Sequence, residues 1–232
     1  MGQFRSQWGN VVFPSENVEE EGKCYYYKDY TSQNIRLIVL MNWTNTTAAY
    51  LNNEYAWFKD VLDDALAKNL TVVCAGHVKP ANLTPIDGCS FHTHEYGYET
   101  QSNASQFVIL VDKFIRAGGT FACWLAGHTH YDLTGWVNAK YTENGTEHIV
   151  DNQLCLVVEN AGGQGNDFER RYWNSDNRIA GTKSQDCFNI VCVNAAYYRV
   201  SVMRIGSQYD NSGQHKGGFC INYKTKKMLS CY

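Results

Sequence analysis

Three of the seven histidines fall where chemistry could be assembled. Gly127-His128-Thr129-His130 places two imidazoles two residues apart directly after an apolar run, and His77 ends a second such run as Cys74-Ala75-Gly76-His77. Neutral imidazole is the commonest protein ligand for zinc-like and iron-like metals. Gly127 is expected to let the backbone turn tightly enough to present both rings. A further His-X-His, His92-Thr93-His94, lies in a long segment from Val78 to Ser102 rich in Pro, Gly, Tyr and His, of a length that in a compact domain is usually functional. Each histidine alone reads equally well as a surface turn residue, and only their convergence would make a site.

The elements that must bring them together can be read from periodicity. Phe121 to Ala126 follow a Gly118-Gly119 break and stop at Gly127, the length and composition of a strand covered on both faces. Leu70 to Ala75 is a second buried strand, and Arg36 to Met41 a third, paired antiparallel with Cys24 to Tyr30 across Thr31-Ser32-Gln33-Asn34. Between them, Phe58, Val61, Leu62, Ala65 and Leu66 recur at helical spacing from a start near Asn52-Asn53-Glu54 to an end near Asn69. Phe107, Leu110, Val111, Phe114 and Ile115 do the same from Asn103 or Ser105 to Gly118-Gly119. Strand, helix, strand, helix, strand with right-handed crossovers makes these strands parallel neighbours. His77 and the Gly-His-Thr-His turn should then emerge on one carboxyl edge, where open α/β sheets bind ligands.

The rest reads as β. Leu133 to Ala139, Leu154 to Asn160, Cys187 to Ala195 and Tyr198 to Gly206 are strand candidates. Gly162-Gly163-Gln164-Gly165 precedes no helix, so it reads as a turn rather than a phosphate cradle, and Asn166 to Gln185 as an exposed charged stretch. Residues 1–22 look like an irregular lead-in and 207–232 like a tail or edge hairpin, within one domain over 1–232.

Composition narrows the class. A hydrophobic share of 44% supports a real core, and a net charge of −3 with scattered Lys and Arg argues against a nucleic-acid surface. No run of about 18 apolar residues offers a membrane span. The polar start Met1-Gly2-Gln3-Phe4-Arg5 does not read as a signal peptide, so a cytoplasmic or virion-associated location is expected. Nine cysteines, with no CxxC, point to a reducing compartment, and Cys74, Cys123, Cys155 and Cys192 lie in apolar runs where thiols serve as small core groups. Six Asn-X-Ser/Thr sequons, at Asn42, Asn45, Asn69, Asn82, Asn103 and Asn144, are set aside, since 21 asparagines give several by chance and the start of the chain does not read as a signal peptide.

With these residues in hand, the chain resembles the C-terminal portion of calcineurin-like metallophosphoesterases, and more narrowly those of phages and gut bacteria. The matching features are the helix with Trp57-Phe58 and the strand ending Cys74-Ala75-Gly76-His77-Val78-Lys79-Pro80. Trp124-Leu125-Ala126-Gly127-His128-Thr129-His130-Tyr131-Asp132, Asp186 to Val191 and Val202 to Gly206 match downstream. The resemblance covers about residues 24–206 and implies an α/β (or α+β) fold: a β-sandwich with flanking helices, here lacking its N-terminal half. It also implies divalent Mn, Fe or Zn ions, two if the missing half completes the site, with His77 and His128 on one metal and His130 on the other. The substrate would be a phosphate monoester or diester attacked by metal-activated water. Tyr131 and Asp132 would accept the second N–H of the metal-bound imidazoles, with a turn cap the other reading of Asp132, and His92, His94 and Tyr96, by their place in the long loop, would line the mouth.

The family's earlier motifs, Asp-X-His, Gly-Asp-X-X-Asp and Gly-Asn-His-Asp/Glu, have no counterpart. Residues 1–76 hold no histidine, and Gly9-Asn10 is followed by Val11-Val12. Without a bridging carboxylate, the repulsion between two metal ions is not offset. Three readings follow: a phosphoesterase completed by an N-terminal polypeptide or a second copy; a non-catalytic structural or interaction protein, such as a phage virion component, that keeps a remnant of the fold; or a rebuilt one-metal site in which His92 or His94 joins His77, His128 and His130.

Overall fold

Short runs of Val, Ile, Leu, Cys and aromatic residues, buried on both faces, form the centre of the molecule. The computed structural model describes residues 18–19, 25–41, 48–87, 89, 105–127, 133–157, 187–206 and 218–230. In its first part β1 (Val18–Glu19) and β2 (Tyr26–Tyr30) precede β3 (Ile35–Val39), helix α1 (Ala48–Ala67) and β4 (Thr71–Ala75). Next come β5 (Leu83–Pro85), helix α2 (Gln106–Arg116) and β6 (Thr120–Ala126). Strands β7 (Leu133–Val137), β8 (Ala139–Glu143), β9 (Thr146–Val150) and β10 (Leu154–Val157) follow, then β11 (Cys187–Asn194), β12 (Arg199–Gly206), β13 (Gly218–Asn222) and β14 (Lys227–Leu229).

One sheet takes the order β1-β2-β3-β4-β6-β10-β7-β5, and a second is the meander β11-β12-β13-β14. Strands β3, β4, β6 and β10 run parallel, and the strands flanking them are antiparallel. This is a mixed α/β architecture with its helices in the two crossovers, as the alternation of patterns predicts.

Alternation along each central strand assigns its side chains to two cores. Ile38, Val72, Cys74, Phe121, Trp124 and Cys155 pack with Phe58, Val61 and Leu62 of α1 and Val108, Val111 and Phe114 of α2. Val73, Ala122, Cys123, Leu154 and Leu156 point the other way, onto Val200, Val202, Phe219 and Ile221 of the second sheet. A register shift in the β4–β6 ladder, between Val72 and Val73, leaves Ala122 and Cys123 both on the second-sheet side. Through that bulge Trp124 and Ala126 return to the helix face, so it fixes how β6 is oriented as it reaches Gly127.

Charge pins helix α1 to the sheet. Arg36 is fully buried, with Nε and Nη2 donating to Asp29 at 2.6 and 2.7 Å, Nη1 to the Val61 carbonyl at 2.8 Å, and Nη2 also to Asp64 at 2.7 Å. Burial opposes the charge, but the hydrogen bonds to Asp29 and Asp64 outweigh it and hold the guanidinium above its ordinary pKa. Helix α2 starts at Ser105, whose hydroxyl accepts from the Val108 N–H at 3.4 Å.

The structure departs from the sequence expectations at four places, the start of α1, strand β5, the β8–β9 hairpin and Cys192. Helix α1 begins at Ala48, four residues before Asn52. Strand β5 lies inside the segment expected to be loop, paired with β7. β8 and β9 form a hairpin over α2, turned by Asn144-Gly145 with φ of 50° and 77°, the positive pair that a type I′ turn requires. Of the two expectations for the end of the chain, residues 218–230 form the hairpin, β13 and β14 at the edge of the second sheet, with Phe219, Ile221 and Tyr223 buried in the second core. Cys192 is exposed rather than in the core, because its position on β11 faces away from the first sheet. The Gly162-Gly163-Gln164-Gly165 loop, the stretch from Asn166 to Gln185 and residues 1–17 of the lead-in lie outside the described residues. No helix among the described residues is long and apolar enough to cross a membrane.

Candidate functional site

The carboxyl ends of β4 and β6 lie side by side, and their ladder continues past both strands. Gly76 N–H donates to the Leu125 carbonyl at 3.0 Å, and Gly127 N–H to the His77 carbonyl at 3.0 Å. His77 is thereby tied to the residue immediately before His128. Its side chain is exposed, whereas β4 before it and Val78 to Ala81 after it are largely buried. The chain rises to the edge at His77 and dives back under. Asn82 then accepts from the Asn138 N–H at 2.7 Å, which anchors the far end of the segment.

Gly127 behaves differently from expectation. Its φ lies outside the positive region, and a Cβ there would sit 3.8 Å from the His77 carbonyl, an ordinary contact. The approach of the two strands therefore does not require glycine at that residue.

Behind the edge, β6 is braced by a buried polar link. Trp124 Nε1 donates to Gln153 Oε1 at 2.9 Å, and Gln153 Nε2 to the Val108 carbonyl of α2 at 2.9 Å. Strand β6, the loop before β10 and helix α2 are thus joined through one fully buried amide. Burial raises the thiols of Cys74, Cys123 and Cys155, that of Cys123 to about 12, so they stay protonated as core groups.

Two buried charges at this edge escaped sequence reading. Glu54, on the first turns of α1, has no exposed surface. Its Oε1 accepts from the Met41 N–H at 2.6 Å, just beyond β3, while Oε2 is buried without a hydrogen-bond partner. Desolvation raises its pKa to about 7, opposed by the Met41 hydrogen bond. Glu54 falls on the Phe58, Val61, Leu62 and Ala65 face, so a carboxylate on an apolar stripe was the available signal. Lys79, two residues beyond His77, is 8% exposed.

His128, His130, Tyr131, Asp132, His92 and His94 lie outside the described residues, so among the predicted ligands only His77 has a described place. Among the described residues no group of three or more His, Cys, Asp or Glu side chains could hold a metal. Those residues alone do not fit a metal centre.

No family model matches the chain, and no curated protein matches it. Among solved structures, a dimetal phosphatase from Danio rerio is similar in fold, with a TM-score of 0.42 and 12% identity over 88% of this chain and 64% of that one. This chain thus spans less than two thirds of that protein, and a likeness of that extent assigns neither a site nor a reaction.

Proposed function

We propose that the chain supplies the C-terminal metal ligands of a metal-dependent phosphoesterase, in which His77, His128 and His130 hold divalent Mn, Fe or Zn. The observation that supports this reading is the hydrogen bond from the Gly127 N–H to the His77 carbonyl, which ties His77 to a residue 50 positions on in sequence and next before His128. Bound there, a metal would supply an activated water and a positive charge against the phosphoryl oxygens. The chain's own part is to fix the imidazoles on rigid strands, with Trp124 and Gln153 bracing β6 from beneath. The family's carboxylate-bearing motifs, which residues 1–76 lack, would come from a complementary polypeptide or a second copy, in keeping with a metallophosphoesterase-type sandwich short of its first half.

A second reading, a non-catalytic interaction protein, is favoured by the outer face of the second sheet. Ile190 and Met203 are direct cross-strand partners, Phe188 lies two residues along, and these side chains are 41%, 45% and 46% exposed. Hydrolysis of p-nitrophenyl phosphate by the Mn-, Fe- and Zn-loaded chain, beside the His128→Ala variant, separates the two. Metal-dependent turnover lost in the variant supports the phosphoesterase. No turnover with any metal, alone or in a concentration series that would populate an oligomer, supports the interaction protein.

A further inference from the structure

The second sheet has one edge unlike the others. Strand β11 stands at the end of the order β11-β12-β13-β14, and among the described residues no strand pairs with its outer side. Alternate residues of an antiparallel edge strand turn their N–H and C=O groups away from the neighbour, so β11 presents a row of such groups over eight residues, roughly 27 Å. Sheet edges are ordinarily kept short or carry Pro or Lys. The remaining edges of the two large sheets do so: β1 has two residues, β5 three with Pro85, and β14 three with Lys227. Cys187-Phe188-Asn189-Ile190-Val191-Cys192-Val193-Asn194 has neither a charge nor a proline. The strand is also held firmly, since all eight residues pair with β12 and Val191 and Val193 pack against the second core. Its outward row is Phe188, Ile190 and Cys192, all exposed, with exposed Met203 beside them on β12.

We infer that β11 is a dimerisation edge, pairing antiparallel with β11 of a second copy of this chain and joining two four-stranded meanders into one eight-stranded sheet. The strand is complementary to itself. Residues directly opposite each other in an antiparallel pair share a face, so a twofold axis normal to the sheet at Ile190 sets Ile190 against its own copy and Phe188 against Cys192. That outer row is apolar throughout, whereas a register centred on Val191 would set Phe188 against Asn194. No like charges meet in the junction, because the strand has none. An unrelated strand would find no charged group on β11 to select it, while the twofold arrangement repeats each contact on both sides of the axis. A junction of this length buries less than the roughly 800 Å² per partner of standard interfaces, so association in the micromolar range is expected. β11 belongs to the second sheet and the edge carrying His77 to the first, so the inference rests on neither functional reading.

The test is sedimentation velocity from about 1 to about 200 µM on the full chain, on Ile190→Lys and Ile190→Glu, and on an equimolar mixture of the two variants. Reducing buffer keeps exposed Cys192 from cross-linking copies. The wild type should pass from monomer to dimer within that range. Each variant should weaken the dimer about tenfold or more, because an apolar pair on the axis becomes a pair of like charges. The mixture should return to within about threefold of the wild type, since Lys then meets Glu across the axis. A wild-type chain that stays monomeric throughout overturns the inference, as do variants that dimerise like the wild type. Loss in both variants without recovery in the mixture also overturns it, because damage to the fold or contact through another surface would not be repaired by opposite charges supplied from two chains.

Discussion

Helix α1 meets strand β3 through a buried charge at each end, and the two are treated oppositely. At the amino end Arg36 has two carboxylates and a carbonyl on its guanidinium, a matched ion whose desolvation is offset by several charge-assisted hydrogen bonds. At the carboxyl end Glu54 has one backbone N–H for two oxygens and no cation among the described residues. One edge of the sheet is built for stability, and the other holds charge at a cost. Folds tolerate such mismatch where a ligand or a proton is to be handled, and this is the edge that carries His77.

That contrast can be broken from the stable side. Arg36→Met should lower the unfolding free energy by about 3 kcal/mol, read from the urea midpoint, since it leaves the part-buried Asp29 without its cation and Asp64 with Lys68 alone. A loss under about 1 kcal/mol would mean that the network adds no more than a surface pair.

It can be sharpened from the costly side. The Glu54 carboxyl has a folded pKa near 7, above the ordinary value of 4.5. The folded state therefore keeps a proton that the unfolded state gives up, so the contribution is complete below about pH 4.5 and is lost as pH rises through 7. Glu54→Gln, neutral throughout, should remove roughly 3 kcal/mol of that pH dependence. The variant should be relatively more stable at pH 8 than at pH 5, as thermal melts at the two values will show. Parallel melting curves for variant and wild type across that range would contradict it.

Two smaller effects test the bracing of β6. Gln153→Leu leaves Trp124 Nε1 buried without its acceptor and removes the second hydrogen bond on the Val108 carbonyl, and should cost about 2 kcal/mol in chemical denaturation. Ser105→Ala removes the cap of α2 and should cost about 0.5–1 kcal/mol, small because the hydrogen bond is long at 3.4 Å.

The parallel core was legible in the sequence because its strands are continuous apolar runs and its helices carry a 3.6-residue stripe, so β3, β4, β6 and both crossovers could be placed in order. The 133–150 region was harder. Ala139–Glu143 and Thr146–Val150 bury one side only, and their hairpin is announced by Asn144-Gly145 alone. Strand β5 is three residues long and contains Pro85, too little for a period to register. Arg36 and Glu54 were hidden for a different reason. Each occupies a core position by spacing and a surface position by residue type, and only the partners that the fold brings from 7 to 28 residues away settle Arg36 inside. The convergence of His77 with Gly127 was foreseeable from topology; the burial of Lys79 beside it was not, since a single lysine after a strand has no period to betray it.

The most direct measurement of the central claim is metal content by elemental mass spectrometry on the purified chain, with His77→Ala and His128→Ala beside it. The proposed site predicts bound Mn, Fe or Zn in the wild type and its loss in both variants, because His77 is hydrogen-bonded to Gly127, the residue next before His128 in sequence. Metal retained in full by His77→Ala while His128→Ala loses it, or a folded wild-type chain that holds none from metal-supplemented buffer, would contradict it.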